Sequence, residues 1–184
     1  HNSTRGQRLS RAEQTLVEAD SVLSQGLSQQ LLWKSSLLSV RGDLLAEQYR
    51  ASQRVSGSTE ADISTRRSAV LKAYEHALEI REQLLGPFHS SCASLLRKQA
   101  SFHFDLSDYT QSENILRRAL SISLSSRGPY HWDTFQCLEL SGQVLRATNR
   151  HSEAEEIEER CRQVERRVRE IARETYVVWG EPDS

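Results

Sequence analysis

The 184-residue sequence contains no methionine, only 3 prolines and only 3 cysteines. Cys92, Cys137 and Cys161 lie far apart, and an odd number without a C-x-x-C pair argues against a disulfide framework. It fits reduced thiols and a cytoplasmic setting. Charge of one sign is also missing. The 24 Lys and Arg stand against 25 Asp and Glu, a net charge of −1, so the basic excess of a nucleic-acid-binding protein is absent. No apolar run approaches the length of a membrane span, and no signal peptide is visible; neither nucleic acid nor membrane is an expected partner. The chain starts at His1, and without methionine it reads as an excerpt or a processed product. Asn2-Ser3-Thr4 matches the N-glycosylation pattern and is read as a chance match in a polar tail.

Chemical motifs are equally scarce. There is no phosphate loop, GxGxxG, HExxH or GxSxG, so neither an enzyme active site nor a cofactor is expected. His89, Cys92 and His103 form one H-x-x-C with no second pair, which is not a zinc pattern. Glu155 and Glu159 fall on the polar face of a helix without a partner for acid–base work. Arg54-Val-Ser56 and Arg66-Arg67-Ser68 fit a basophilic kinase pattern that arises often by chance.

What is present is a repeat. Two of the prolines stand in Gly86-Pro-Phe-His89 and Gly128-Pro-Tyr-His131, with the histidines 42 positions apart. The same step carries Ala77 to Ala119 and Cys161, Ile80 to Ile122 and Val164, Ala100 to Gly142, and Ser68 to Thr110 and Ser152. A fixed period of this size marks stacked supersecondary units. Gly-Pro reads as a helix stop, with glycine at the C-cap and proline unable to extend the helix. Thr110-Gln-Ser-Glu113, Ser152-Glu-Ala-Glu155 and Ser10-Arg-Ala-Glu13 read as capping boxes, with the Ser68 series marking helix starts.

Between stop and start, Ser91 to Leu106 places Leu95, Leu96, Phe102, His103 and Phe104 on a broad apolar side. Asp133 to Ala147 does the same with Phe135, Leu138, Val144 and Leu145. Ala100 and Gly142 are small where neighbouring helices approach, so each unit is a helical hairpin. The first hairpin carries about a dozen extra residues in RASQRVSGSTEA, either a polar loop or an extension of both helices. The loop is favoured, near Ser52 to Ser58, with helix resuming around Thr59. Upstream, Ala12, Leu16, Ala19 and Leu23 form another helical stripe.

From Ser152 the pattern runs on. Ile157, Cys161, Val164, Val168, Ile171, Thr175 and Val178 alternate steps of four and three, a coiled-coil-like stripe sustained for about three heptads. One reading is a solenoid cap whose near half packs on the preceding repeat and whose charged face meets water. The other makes the distal half, including Val168, Ile171, Thr175, Val178 and Trp179, a seam for a homodimer or a partner helix.

The small residues Ala100, Ser112 and Ala119, then Gly142, Ala154 and Cys161, fall at the eighth, twentieth and twenty-seventh positions of a hairpin. In this spacing the chain resembles the tetratricopeptide repeat family. With Leu45-Ala46 before Tyr49, and with ALEIREQLLGPFH, it is similar to the kinesin light chain-like variety of about 42 residues. The resemblance covers about Ser10 to Val164 and implies an all-α, right-handed superhelical solenoid of antiparallel hairpins with a long C-terminal helix. The expected layout is a tail over 1–9 and one repeat domain over 10–179. That domain comprises a half-repeat over 10–26 and hairpins over about 29–86, 90–128 and 132–179. A second tail covers 180–184.

The resemblance also implies a non-enzymatic scaffold or adaptor that docks a protein or peptide partner in a groove lined by first helices. The matching positions are Asp43, Glu47 and Arg50 in the first unit, Arg97, Ser101 and Phe104 in the second, and Gln136, Glu139, Gln143 and Arg146 in the third. Where the family often places asparagine to clamp the ligand backbone, this chain has Ser101 and Gln143, so the clamp is not carried over. Two alternatives stay open: a subunit that bridges a larger assembly through the last helix, and a regulatory appendage of an enzyme encoded outside the excerpt. Cytoskeletal and ciliary settings fall within the cytoplasmic expectation.

Overall fold

The computed structural model describes residues 11, 13–16, 29–54 and 59–178. The expected tails, most of the half-repeat over 10–26, the capping box at Ser10 and the Trp179 end of the seam lie outside the described residues. So do the side chains of Thr175 and Val178. Six helices follow one another among the described residues: α1 (Gln29–Gln53), α2 (Glu60–Leu85), α3 (Ser90–Asp105), α4 (Tyr109–Arg127), α5 (Trp132–Ala147) and α6 (His151–Val178). They fall into two compact units, His1–Pro87 and Phe88–Ser184.

In the first unit α1 and α2 form an antiparallel hairpin. Ser35 Oγ donates to the Ala77 carbonyl at 2.9 Å, and Tyr74 Oη donates to Asp43 Oδ1 at 2.8 Å; the partner number falls as α1 climbs. Arg81 Nε donates to the same Ser35 hydroxyl at 2.9 Å. The seam is filled by Ala46, Tyr49, Val70, Ala73, Tyr74 and Ala77, all buried. The extra residues of this hairpin go largely into its helices, not into the favoured loop. α1 has 25 residues against 16 in α3, and α2 has 26 against 19 in α4. Helix resumes at Glu60 behind Thr59, whose hydroxyl accepts from the Asp62 N–H. Ser68 therefore sits in the middle of α2 and starts nothing; the step of 42 carries the position but not the helix boundary.

The second unit stacks two hairpins, α3–α4 and α5–α6, with α4 and α3 both touching α5. Ser112 Oγ donates to the Ala100 carbonyl at 2.9 Å, and Ala100, Ser112, Ala119 and Ala154 are fully buried. A side chain of zero to one heavy atom beyond Cβ at these points lets backbone meet backbone, and Phe102, Leu95, Leu116, Ile122, Leu138 and Val144 fill the space around them. At Gly142 the approach is looser. A Cβ there would stand 3.6 Å from Glu158 Cγ and 3.7 Å from Ile157 Cγ2, ordinary contact distances. Glycine is not required at that position.

The turns repeat as the helices do. Gly86 and Gly128 close α2 and α4 at φ 87° and 85° with ψ 154° and 174°. This is an extended region almost confined to glycine and not a left-handed helical turn. Ser107 and Asn149, both at φ 59°, end α3 and α5. The Asp108 N–H returns to the His103 carbonyl and the Arg150 N–H to the Leu145 carbonyl, both at 2.9 Å, the six-to-one closure of a Schellman motif.

The helix starts differ from the expected capping boxes. Asp108, not Thr110, caps α4, its Oδ1 accepting from the Gln111 N–H at 3.3 Å. α6 begins at His151, so Ser152 lies within its first turn. His89 and His131 cap α3 and α5: Nδ1 accepts from the Ser91 N–H at 3.2 Å and from the Asp133 N–H at 3.1 Å. An imidazole nitrogen two atoms beyond Cβ reaches the second free N–H of a helix much as a carboxylate oxygen does.

Candidate partner-binding surface

α3 and α5 each bury one broad side, Leu95, Leu96, Ala100 and Phe102 on the first and Leu138, Val144 and Leu145 on the second, and turn other residues away from it. On α3, Arg97, Ser101 and Phe104 are spaced by four and three residues and share one face; on α5, Gln136, Glu139, Gln143 and Arg146 do the same. α3 packs on α5, which places the two rows on neighbouring helices of one unit. Arg97 is close enough to α5 for its charge to act on the Cys137 thiol.

The side chains in these rows differ in what holds them. Arg97, Ser101 and Gln136 are half-buried, while Glu139 and Gln143 are exposed. None of the five makes a side-chain hydrogen bond or ion pair among the described residues. Phe104 leans on Tyr109, ring centroids 5.5 Å apart at 57°. Arg146 is committed to Glu158 of α6 through two bonds of 2.5 and 2.7 Å. Those bonds hold its guanidinium above, and the Glu158 carboxyl below, their ordinary pKa ranges.

The three positions carried over to the first unit are engaged within it. Asp43 accepts from Tyr74, and Arg50 Nη1 donates to Glu47 Oε1 at 2.8 Å. In α6, Val164 is buried and Val168 half-buried, whereas Ile171 is 42% exposed. The apolar stripe thus comes to the surface between Val164 and Ile171, on a helix of 28 residues, about 40 Å long at ~1.5 Å per residue.

The two histidines whose spacing is not a zinc pattern have structural jobs. His89 is a cap, and His103 Nδ1 faces Asp108 Oδ2 at 3.2 Å, holding the α3–α4 turn. Among the described residues no group of three or more His, Cys, Asp or Glu is placed to hold a metal ion. Cys137 is buried, and burial pushes its thiol up to about 11 against the hydrogen bond it shares with Ser123. Cys161 is half-buried, less enclosed than its small-residue position suggests, yet desolvation followed by the charges of Glu139 and Glu158 raises it to about 11 as well. At pH 8 both thiols are overwhelmingly protonated, and the thiolate is the reactive form. Iodoacetamide at that pH therefore labels Cys137 and Cys161 far more slowly in the native protein than in urea, as read by intact mass. Because the folded pKa values lie above the unfolded ones, their contribution to stability is present below about pH 9 and is lost as pH rises through 11.

Comparison with known proteins agrees with this architecture. Two family models of the tetratricopeptide repeat match, one over residues 91–167 and one over residues 71–91. Together they run from the middle of α2 to the middle of α6. The chain belongs to the tetratricopeptide repeat family, with a 42-residue unit visible in the equivalent caps at His89 and His131. Its fold is similar to that of BtubC (BKLC) from P. vanneervenii, with a TM-score of 0.50 and 18% identity, covering 98% of this chain and 79% of that one. No curated protein sequence matches. Among the described residues no helix is long and apolar enough to cross a membrane.

Proposed function

We propose that the chain is a non-enzymatic protein-interaction module that docks a segment of a partner protein across the first helices of its second unit. The observation that carries this reading is the row of polar side chains, Arg97 and Ser101 on α3 with Gln136, Glu139 and Gln143 on α5, that make no side-chain hydrogen bond or ion pair among the described residues. Unpaired donors and acceptors on a rigid two-helix face are available to a partner backbone at little ordering cost to the module. Mixed charge on this face favours a ligand that is neither strongly acidic nor strongly basic. Widely spaced cysteines, odd in number, and balanced charge support a cytoplasmic setting.

Partner capture with the intact chain, read by mass spectrometry, supplies the ligand. Arg97→Glu and Gln143→Ala then weaken binding of that ligand about tenfold or more while the melting temperature stays within about 1 °C. A ligand indifferent to both substitutions removes this reading. Arg146 is the poorer probe, because its loss also frees Glu158.

The exposed Ile171 on a helix that outlasts its hairpin favours a second role for α6 in bridging to a helix of a partner or of a second copy. Truncation after Glu165 separates the two. It abolishes an assembly held by the distal stripe and leaves first-helix docking intact.

A further inference from the structure

The backbones of the second helices of the two stacked hairpins stay apart: α4 meets α5 and α5 meets α6, but no Cα of α4 comes within 8 Å of one in α6. Between them is a cleft of about 230 Å³. Its floor is apolar, with Leu116 and Leu120 from α4, Val144 and Leu145 from α5 and Ile157 from α6. That volume lies below the ~300–1,000 Å³ of a small-molecule pocket and suits one or two side chains inserted by a protein.

Charge at the mouth selects among such side chains. Arg150 reaches from the start of α6 to Glu113 of α4 at 2.8 Å and grips Glu153 through two bonds of 2.7 and 2.5 Å. Arg117 also turns to Glu113, at 3.3 Å. Both rim guanidiniums are thus engaged by rim carboxylates. Glu156, also at the mouth, is exposed and has no hydrogen bond or ion pair among the described residues. Three carboxylates against two guanidiniums leave the rim negative, with the unpaired charge on Glu156.

We infer that this cleft is a second docking site, separate from the first-helix face. Its occupant is a protein segment that inserts one bulky aliphatic or aromatic side chain beside a lysine or arginine. The apolar side chain covers Leu116, Val144 and Ile157, and the cation meets Glu156. A central apolar anchor inside a charged rim is the arrangement that concentrates binding energy in few residues.

The test is selection of a phage-displayed random dodecapeptide library on the intact chain, followed by fluorescence anisotropy with the synthetic consensus peptide. The expected consensus is a bulky apolar residue with Lys or Arg within a turn of it. Glu156→Arg, a change at an exposed side chain, weakens that peptide at least tenfold. Ser141→Phe, which fills the cleft, abolishes binding while the circular dichroism spectrum is unchanged, and Arg97→Ala leaves affinity as it was. An acidic consensus, no consensus, or a peptide that responds to Arg97→Ala but not to Glu156→Arg overturns the inference. So does a chain that self-associates by sedimentation and loses that association with Ser141→Phe, since the occupant would then be a second copy.

Discussion

Phe102→Ala lowers the stability of the second unit by about 3–5 kcal/mol, the range for emptying a buried aromatic site. Phe102 is the largest of the fully buried side chains, with 0% exposure. It lies on α3 between Ala100, which touches α4 through Ser112, and the turn at Leu106, whose N–H bonds to the Phe102 carbonyl. Close-packed helices on both sides of a stacked hairpin relax little, so most of the cavity persists. Thermal unfolding followed by circular dichroism should show a loss on the order of 10 °C, at ~2–4 °C per kcal/mol for a chain of this size. Phe104, half-buried against Tyr109, is the control; its replacement costs clearly less. Equal losses at the two positions contradict this placement of the core.

Gly42→Val is the second large effect, expected near 2–3 kcal/mol. A Cβ at Gly42 would stand 2.5 Å from Tyr74 Cε1 and 2.7 Å from Cδ1. The ring has little room to yield, because Tyr74 is 3% exposed and its hydroxyl is tied to Asp43. Overpacking of a rigid site typically costs about 1–3 kcal/mol, and valine recovers little of the helix propensity that glycine lacks. Gly142→Ala has the opposite sign. Its Cβ meets only ordinary contacts, so the gain of alanine over glycine inside a helix, up to ~1 kcal/mol, is realised. Urea titration of the two variants, with opposite shifts in midpoint, checks both distances at once.

The contrast between the two glycines also marks what the sequence could show. The spacing of Ala100, Ser112, Ala119 and Ala154 was legible because small side chains at contact points recur in register, and all four are buried. Gly42 was not singled out, since it lies in the hairpin whose lengthened helices break the period; the one signal was an isolated glycine inside a helical stretch. The Gly-Pro stops were legible because only glycine adopts the backbone found there. The caps were misplaced by two residues at α4, because Asp108 and Thr110 both have cap chemistry and only geometry decides between them. His89 and His131 kept their register but hid their role, since histidine is an uncommon cap. On the first-helix face, the family resemblance supplied the positions, but which side chains are already engaged depended on partners distant in sequence. Arg146 finds Glu158 and Asp43 finds Tyr74 only after the hairpins close. The cleft rim was invisible for the same reason, because Arg150 and Glu113 are 37 residues apart.

Ala154 decides whether hairpin contact at small residues builds this molecule. It has 0% exposure on the inner face of α6, whereas Ala147, the last residue of α5, is exposed. The melting temperature of Ala154→Leu, measured beside Ala147→Leu, is the direct test. A fall of several degrees for the first, with no change for the second, is the predicted result. An Ala154→Leu protein that melts with the parent would mean that α6 does not press on α5 at that point, and the stacked-hairpin surface on which both proposed docking sites depend would not exist.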